Sequence, residues 1–321
     1  MAVQEAGTAP AGRRIMVTGS RGFVGRHLVE TLTQSGYPAD QIACPGREPA
    51  CTIRLDLGDA ASIRSAVEAA VPDMVYHLAG EASVAQSGHY AAATWQANFV
   101  GTMDLALALA EVNPAVTLLF VSSAEVYGQA FLDGPVDEAV RPAPSSVYAQ
   151  AKLATEQMLA AVLPQSATLI VARPSNHIGP GQDERFAVPS FARQLALAER
   201  AGDSARIQVG NLESERDFMD VRDVVRVYEL LTRLYAQTGV RETFNISSQQ
   251  SRSVRSLLDM LRQDARVASE VVVDPARSRP SEVPVALVGS SRLREMTGWA
   301  PTIPMDQTIR DVLNDARIRT T

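Results

Sequence analysis

The chain has almost no lysine. It carries 30 basic side chains, and a single one, Lys152, is an ammonium; the others are arginine. Arginine keeps its proton under all ordinary conditions, whereas lysine is a compact point charge whose proton affinity can be tuned. A composition that uses guanidinium everywhere else points to a task at Lys152 that arginine cannot perform. Cysteine is scarce too. Cys44 and Cys51 cannot build a disulfide framework, and no Cys/His cluster has metal-ligand spacing, so no metal site is expected. Aromatic residues make up 5% of the chain and no basic run interleaves with them, which argues against a nucleic-acid partner. No apolar run is long enough to span a bilayer. The segment from Met1 to Gly12 is small and polar, unlike a secretion signal, and reads as a loose tail. These shortages point to a cytoplasmic protein with neither membrane nor nucleic acid as partner.

What is present is a rhythm. Short apolar runs at 14–18, 41–44, 52–55, 74–78, 117–122, 168–172 and 243–246 alternate with helix-like stretches at 22–34, 60–70, 94–111 and 146–163. Such alternation predicts βαβ units wound on both sides of a parallel sheet, an α/β fold of Rossmann type. The runs are apolar without alternation, as strands are when helices cover both faces. After Arg173 the rhythm breaks. Gly, Pro and Asn crowd into 173–181, which reads as loop. Helices follow from Val188 and after Asp220, then a Pro-rich stretch at 274–284. The expected organisation is a tail over 1–12 and a dinucleotide-binding domain over 13–173, to which 214–248 returns. A smaller α/β substrate lobe takes 174–213 and 249–321.

Gly19, Gly22 and Gly25 follow the first run and open the first helix. At this spacing one glycine makes the turn, one lets backbone approach a pyrophosphate, and one lets helix and sheet pack closely. The helix N-terminus then offers free N–H groups to the phosphates. An NAD site usually places a carboxylate about 20 residues further on. Here that region holds Arg47, and Arg21 sits inside the glycine loop. Two guanidiniums suit a 2′-phosphate, so NADPH is expected ahead of NADH; the plain alternative is two solvated arginines. Asp56, closing the 52–55 run, is a candidate for the adenine. Asp59 fits a helix cap better.

Tyr148 and Lys152 lie at i and i+4 of one helix, on the same face. Ser123 follows the fifth run, at a strand end bordering the ligand crevice. A nearby ammonium should lower the phenol from its ordinary value of about 10. The three side chains together suit proton transfer to an oxygen while hydride reaches its carbon.

On these residues, together with His77-Leu78-Ala79-Gly80, the segment Ser122–Gly128 and Asn98, the chain resembles the extended short-chain dehydrogenases/reductases, from about residue 14 to 317. The resemblance implies a Ser123–Tyr148–Lys152 triad. It also implies cofactor contacts from Phe23, Val24, Leu57, Leu78, Ala79, Gly80, Tyr148 and Lys152, with Lys152 holding the cofactor ribose. Asn176–Gln182, Arg216–Val225, Arg279–Pro284 and Thr297–Pro301 resemble segments of the GDP-4-keto-6-deoxy-D-mannose reductases. That resemblance implies reduction of the C4 ketone of a GDP-sugar, with GDP-D-rhamnose as product. Substrate contacts would come from Glu125, Asn176, Val188, Arg193, Arg216, Arg279 and Glu282. The alternatives are a nucleotide-sugar 4-epimerase or 4,6-dehydratase with tightly held cofactor, and, more remotely, a non-catalytic NADPH-binding module.

Two departures from the pattern matter. Ala124 stands where dehydratases carry a hydroxyl or carboxyl, which argues for simple reduction. Ser175 stands where close relatives tend to carry phenylalanine. Helices 94–111 and 146–163 are apolar on more than one face, and relatives pair such helices, so a homodimer is expected.

Overall fold

A computed structural model of the chain describes residues 12–48, 51–81, 87–88, 90–277 and 283–320. Six parallel strands form its central sheet, in the order Ile42–Ala43, Ile15–Thr18, Met74–His77, Thr117–Val121, Thr168–Pro174 and Arg241–Ile246. The uninterrupted apolar runs are explained by what each face meets. Ile15, Val17, Met74, Tyr76, Leu119 and Ile170 point into one core, beneath helices Phe23–Gln34 and Val221–Tyr235. Met16, Val75, Leu118, Phe120 and Leu169 point into the other, beneath Ala60–Ala70, Gly101–Val112 and Val147–Val162. Strand side chains alternate between faces, and here both faces are dry. Strand order reverses beside Ile15–Thr18, so the carboxyl ends of that strand and of Met74–His77 border the crevice where α/β sheets bind ligands.

Two expectations about local structure need correction. Residues 52–55 are not a strand. Their contact with the sheet edge is one parallel bridge, Gly46 to Arg54, because Pro45 has no N–H with which to extend a ladder. Residues 173–181 are not all loop. Thr168–Pro174 runs on past Arg173, and Asn176–Ile178 pairs in parallel with Phe218–Asp220. The neighbouring strand Glu215–Asp220 supplies this partner, which no local signal announces. It also pairs with Ser251–Ser253 and Val285–Ala286. This small sheet, the parallel pair Ala205–Val209 and Ser269–Val273, and helices Ala187–Ala201, Val254–Asp264 and Met305–Thr320 enclose a separate core. No helix among the described residues is long and apolar enough to cross a membrane.

The glycine loop is held by contact. A Cβ on Gly25 would lie 2.1 Å from the Gly19 carbonyl oxygen and 2.7 Å from Ser20 Cα. Gly19 has φ +69°, and a Cβ there would meet the Ala79 nitrogen at 2.9 Å. Gly25→Ala is therefore expected to lose about 1–3 kcal/mol of stability through overpacking, read as a lowered midpoint in urea unfolding.

Candidate active site

The strand end Val121-Ser122-Ser123 and the helix Val147–Val162 face each other. Ser146 starts that helix by accepting the Ala149 N–H at 3.1 Å, which fixes the phase of its first turn. Tyr148 and Lys152 thereby turn inward, 8% and 6% exposed. Lys152 Nζ donates to the Val121 carbonyl at 2.8 Å and lies 4.9 Å from the centre of the Phe120 ring and 5.9 Å from that of Tyr148. Burial lowers its pKa to about 8, against an opposing pull from Glu156. Tyr148 departs from expectation. Burial raises its phenol to about 12, a hydrogen bond with Ser123 pulls the other way, and the Glu125 and Glu81 carboxyls raise it further. Burial outweighs the help of the ammonium, whose Nζ lies 5.9 Å from the centre of the Tyr148 ring. At neutral pH this tyrosine keeps its proton.

Beside the pair runs a chain of hydrogen bonds that reaches back to the glycine loop. The Thr102 hydroxyl donates to the Asn98 carbonyl at 2.9 Å, so it accepts from His77 Nε2–H at 2.9 Å. His77 Nδ1 then accepts from the Thr18 hydroxyl at 2.7 Å, and Thr18 accepts the Ala79 N–H at 3.2 Å. This logic assigns a neutral imidazole with the proton on Nε2. Burial supports it by lowering His77 to about 3, aided by the charge of Lys152. Asn98 lies in a π turn, Gln96–Val100, inside the expected 94–111 helix. Its carbonyl takes the hydroxyls of Thr102 and Thr155, both at 2.9 Å, and its side-chain amide clasps the backbone of Glu81. Nothing in the local sequence announced the turn.

A dinucleotide fits the cradle formed here. Gly22 caps the first helix without a side-chain hydrogen bond, which leaves its first N–H groups for phosphate oxygens. Arg21 and Arg47 are both exposed at the crevice edge. Glu48's carboxyl is pulled below its ordinary value first by its own backbone amide, then by Cys51 and by both arginines, so both cations lie near Glu48. Asp56 Oδ1 accepts the Gly58 N–H at 3.0 Å, and Asp59 caps helix Ala60–Ala70. Leu57 and Ala79 pack against the core of that face, and Leu78 against the other. Phe23 stacks on His177 at 6.2 Å, and Val24 joins the core with it. Gly80 has φ +151°, and a Cβ there would lie 2.4 Å from Asn98 Oδ1.

The profile of the family described as GDP-mannose 4,6 dehydratase matches residues 16–312. The chain belongs to that family. It is 36% identical over 311 residues to a GDP-6-deoxy-D-mannose reductase of Pseudomonas aeruginosa, covering 96% of this chain and 99% of that protein. A UDP-glucose 4-epimerase of Azospirillum brasilense is 28% identical over 95% of this chain and 92% of its own length. Among solved structures, RMD from P. aeruginosa complexed with NADPH superposes with TM-score 0.82 at 35% identity, covering 96% of this chain and 99% of that one. Membership agrees with the Rossmann-type sheet and with the resemblance read from the motifs.

Beyond Ser123 lies a narrow cleft lined by Ala124, Glu125, Phe131, Ser175, Asn176, Arg216, Asp217, Ala286 and Val288. Three of the expected substrate residues, Glu125, Asn176 and Arg216, meet here. Burial raises the Glu125 carboxyl, and Arg216 pulls it back down. Ser175 has a local explanation: its hydroxyl donates to buried Asp217 at 2.8 Å, which also accepts the Ser248 N–H at 2.9 Å and the Gln250 N–H at 3.1 Å. A phenylalanine would leave that carboxylate one donor short. Val188 and Arg193 do not line the cleft. Val188 is 2% exposed, in the core enclosed by helices Ala187–Ala201, Val254–Asp264 and Met305–Thr320. Arg193 is exposed and paired with Glu184 at 2.7 Å. Arg279 and Glu282 lie outside the described residues.

Proposed function

We propose that this member of the family reduces the C4 ketone of GDP-4-keto-6-deoxy-D-mannose with NADPH, forming GDP-D-rhamnose. The observation that carries the proposal is the buried, proton-holding Tyr148 grouped with Ser123 and Lys152, with Glu125, Asn176 and Arg216 gathered around the cleft next to Ser123. When bound in the glycine cradle, NADPH supplies the hydride. Tyr148 gives its phenolic proton to the C4 oxygen as negative charge develops there. An alkoxide is a stronger base than a phenolate, so the transfer runs downhill even from a phenol near 12. Ser123 donates to the same oxygen and orients it. Lys152 places a positive charge beneath the phenolate that forms. Arg216 and Asn176 hold the substrate side, and Glu125 faces the sugar. Ala124 carries no group that can move a proton, so elimination of water lacks a partner. The similarity to an NADPH-complexed reductase of matching length supports the same reading.

The test is a mixture of the GDP-keto-sugar, the enzyme and either cofactor, followed by loss of reduced-nicotinamide absorbance and by NMR of the product. NADPH is expected to be used more efficiently than NADH, because Arg21 and Arg47 pair with its 2′-phosphate; equal use would remove those arginines from that role. Protein purified with bound NAD that needs no added reductant would favour the epimerase or dehydratase alternative. The same proposal divides the chain into a dinucleotide lobe and a nucleotide-sugar lobe. It also pairs the chain with a second copy through helices Ala91–Trp95, Gly101–Val112 and Val147–Val162, beside which Tyr90 and Leu107 stand 65% and 46% exposed. Light scattering should give twice the mass of 34.5 kDa, and a monomer would end that part of the proposal.

A further inference from the structure

Glu156 lies one turn beyond Lys152 and is buried against Arg173. Arg173 Nε donates to Oε1 at 3.0 Å and Nη2 to Oε2 at 2.5 Å, while the Ser122 hydroxyl donates to Oε1. The remaining arm of the guanidinium, Nη1, donates to the Tyr127 hydroxyl at 3.0 Å, and Tyr127 donates to Asn245 Oδ1 at 2.9 Å. Asn245 Nδ2 donates to the Gly289 carbonyl at 3.1 Å. Burying two ions costs several kcal/mol each, and apolar residues of equal volume often stabilise a fold as well. Stability alone is therefore weak grounds for the pair.

Its place suggests one. Three consecutive residues at the strand end address three successive turns of the helix. Ser123 meets Tyr148, the Val121 carbonyl meets Lys152, and the Ser122 hydroxyl meets Glu156. The first two contacts are made by groups assigned to the reaction. The third is the one anchored to the rest of the fold, through Arg173 on the neighbouring strand Thr168–Pro174. We propose that Glu156, locked by Arg173 and Ser122, is the positioning residue that holds Lys152 and Tyr148 in register with Ser123 and sets a negative charge behind the ammonium. The proposal rests on the reading of Ser123, Tyr148 and Lys152 given above.

Among the described residues, the surroundings of Lys152 leave Glu156 as its counter-charge. On its own helix it meets Tyr148, which keeps its proton, and Glu156. From strand Met74–His77 it faces neutral His77. From strand Thr117–Val121 it faces the Phe120 ring and the Val121 carbonyl. Burial presses the ammonium to give up its proton, and Glu156 opposes that pressure. Arg173 donates to Glu156 and to the Tyr127 hydroxyl.

Because the chain holds one lysine, protein grown on lysine labelled with ¹³C at Cε gives one side-chain lysine resonance, and its pH titration reads Lys152 directly. In Glu156→Gln the proton affinity of Lys152 is expected to fall about tenfold or more, the effect of losing an opposite charge within about 4–6 Å. The alkaline limb of kcat should move down with it, while KM for the GDP-sugar changes little. Glu156→Gln leaves Arg173 buried without a counter-charge and can fail to fold, so the double variant Glu156→Gln/Arg173→Met carries a second test with no orphan charge. It is expected to fold and to show a Lys152 midpoint lowered by less, because the repulsion from Arg173 is removed together with the attraction to Glu156. A midpoint unchanged in the folded variant would overturn the proposal and reduce Glu156 to a structural pair. The titration needs no substrate. A shifted Lys152 in a protein that leaves the GDP-sugar unreduced would remove the proposed function instead, and keep the link between Glu156 and Lys152.

Discussion

Tyr148→Phe is expected to lower kcat by about 10²–10⁴-fold, the usual contribution of a positioned general acid, while the affinity for NADPH stays within a few-fold. The substitution removes one oxygen and keeps the ring that fills the space beside Lys152 and Phe120. Hydride could still be delivered, but the oxygen at C4 would have to find its proton elsewhere. Ser123 cannot replace Tyr148, because its hydroxyl gives no proton as readily as a phenol does. Cofactor affinity should survive because the glycine cradle, Arg21 and Arg47 lie away from the phenol. Stopped-flow or steady-state rates, paired with a fluorescence titration of NADPH, separate the two effects. Turnover within a few-fold of the native enzyme would take Tyr148 out of its assigned role. Loss of NADPH binding would show that the change disturbed the cradle.

Lys152→Arg is expected to cost about 100-fold or more in kcat, although charge is conserved. Nζ sits 2.8 Å from the Val121 carbonyl and 4.9 Å from the centre of the Phe120 ring, in a site that leaves the side chain 6% exposed. A planar guanidinium is larger and carries its charge further from the chain. It would displace either Phe120 or the strand end that presents Ser123. The native enzyme has a matching pH signature. Burial has lowered Lys152 to about 8, so the ammonium is present below that pH and is lost as the pH rises through it. kcat should therefore decline above about pH 8. Tyr148, raised to about 12, contributes no limb in this range. An arginine variant that retains activity with a flat alkaline profile would contradict both points.

The value of Tyr148 marks where reading residues in pairs stops short. A lysine four residues on suggests a lowered phenol, but spacing carries no information about burial. The parallel sheet was legible because its strands are apolar on both faces, and that pattern needs no partner to be read. The glycine loop and the i, i+4 pair were legible for the same reason: each is a local spacing with a geometric meaning. Segment 52–55 misled because its composition suits a strand while its neighbour, with Pro45, cannot supply the ladder. The π turn at Gln96–Val100 and the strand Asn176–Ile178 depend on contacts with distant segments. The Glu156–Arg173 pair was hidden in the same way. Its members are ordinary residues 17 positions apart, on a helix and a strand that meet in the folded chain. Ala124, by contrast, was informative from sequence alone, since a missing functional group needs no geometry to be missing.

The central claim is that hydride goes to C4 of the sugar while Tyr148 supplies the proton. The most direct measurement incubates the enzyme with GDP-4-keto-6-deoxy-D-mannose and NADPH deuterated at the transferring position of the nicotinamide. NMR and mass spectrometry then locate the label. The account expects one deuterium at C4 of a GDP-6-deoxyhexose of rhamnose configuration, with one NADPH consumed per product. Recovery of the keto-sugar with NADPH unspent, or a product without deuterium at C4, would contradict it.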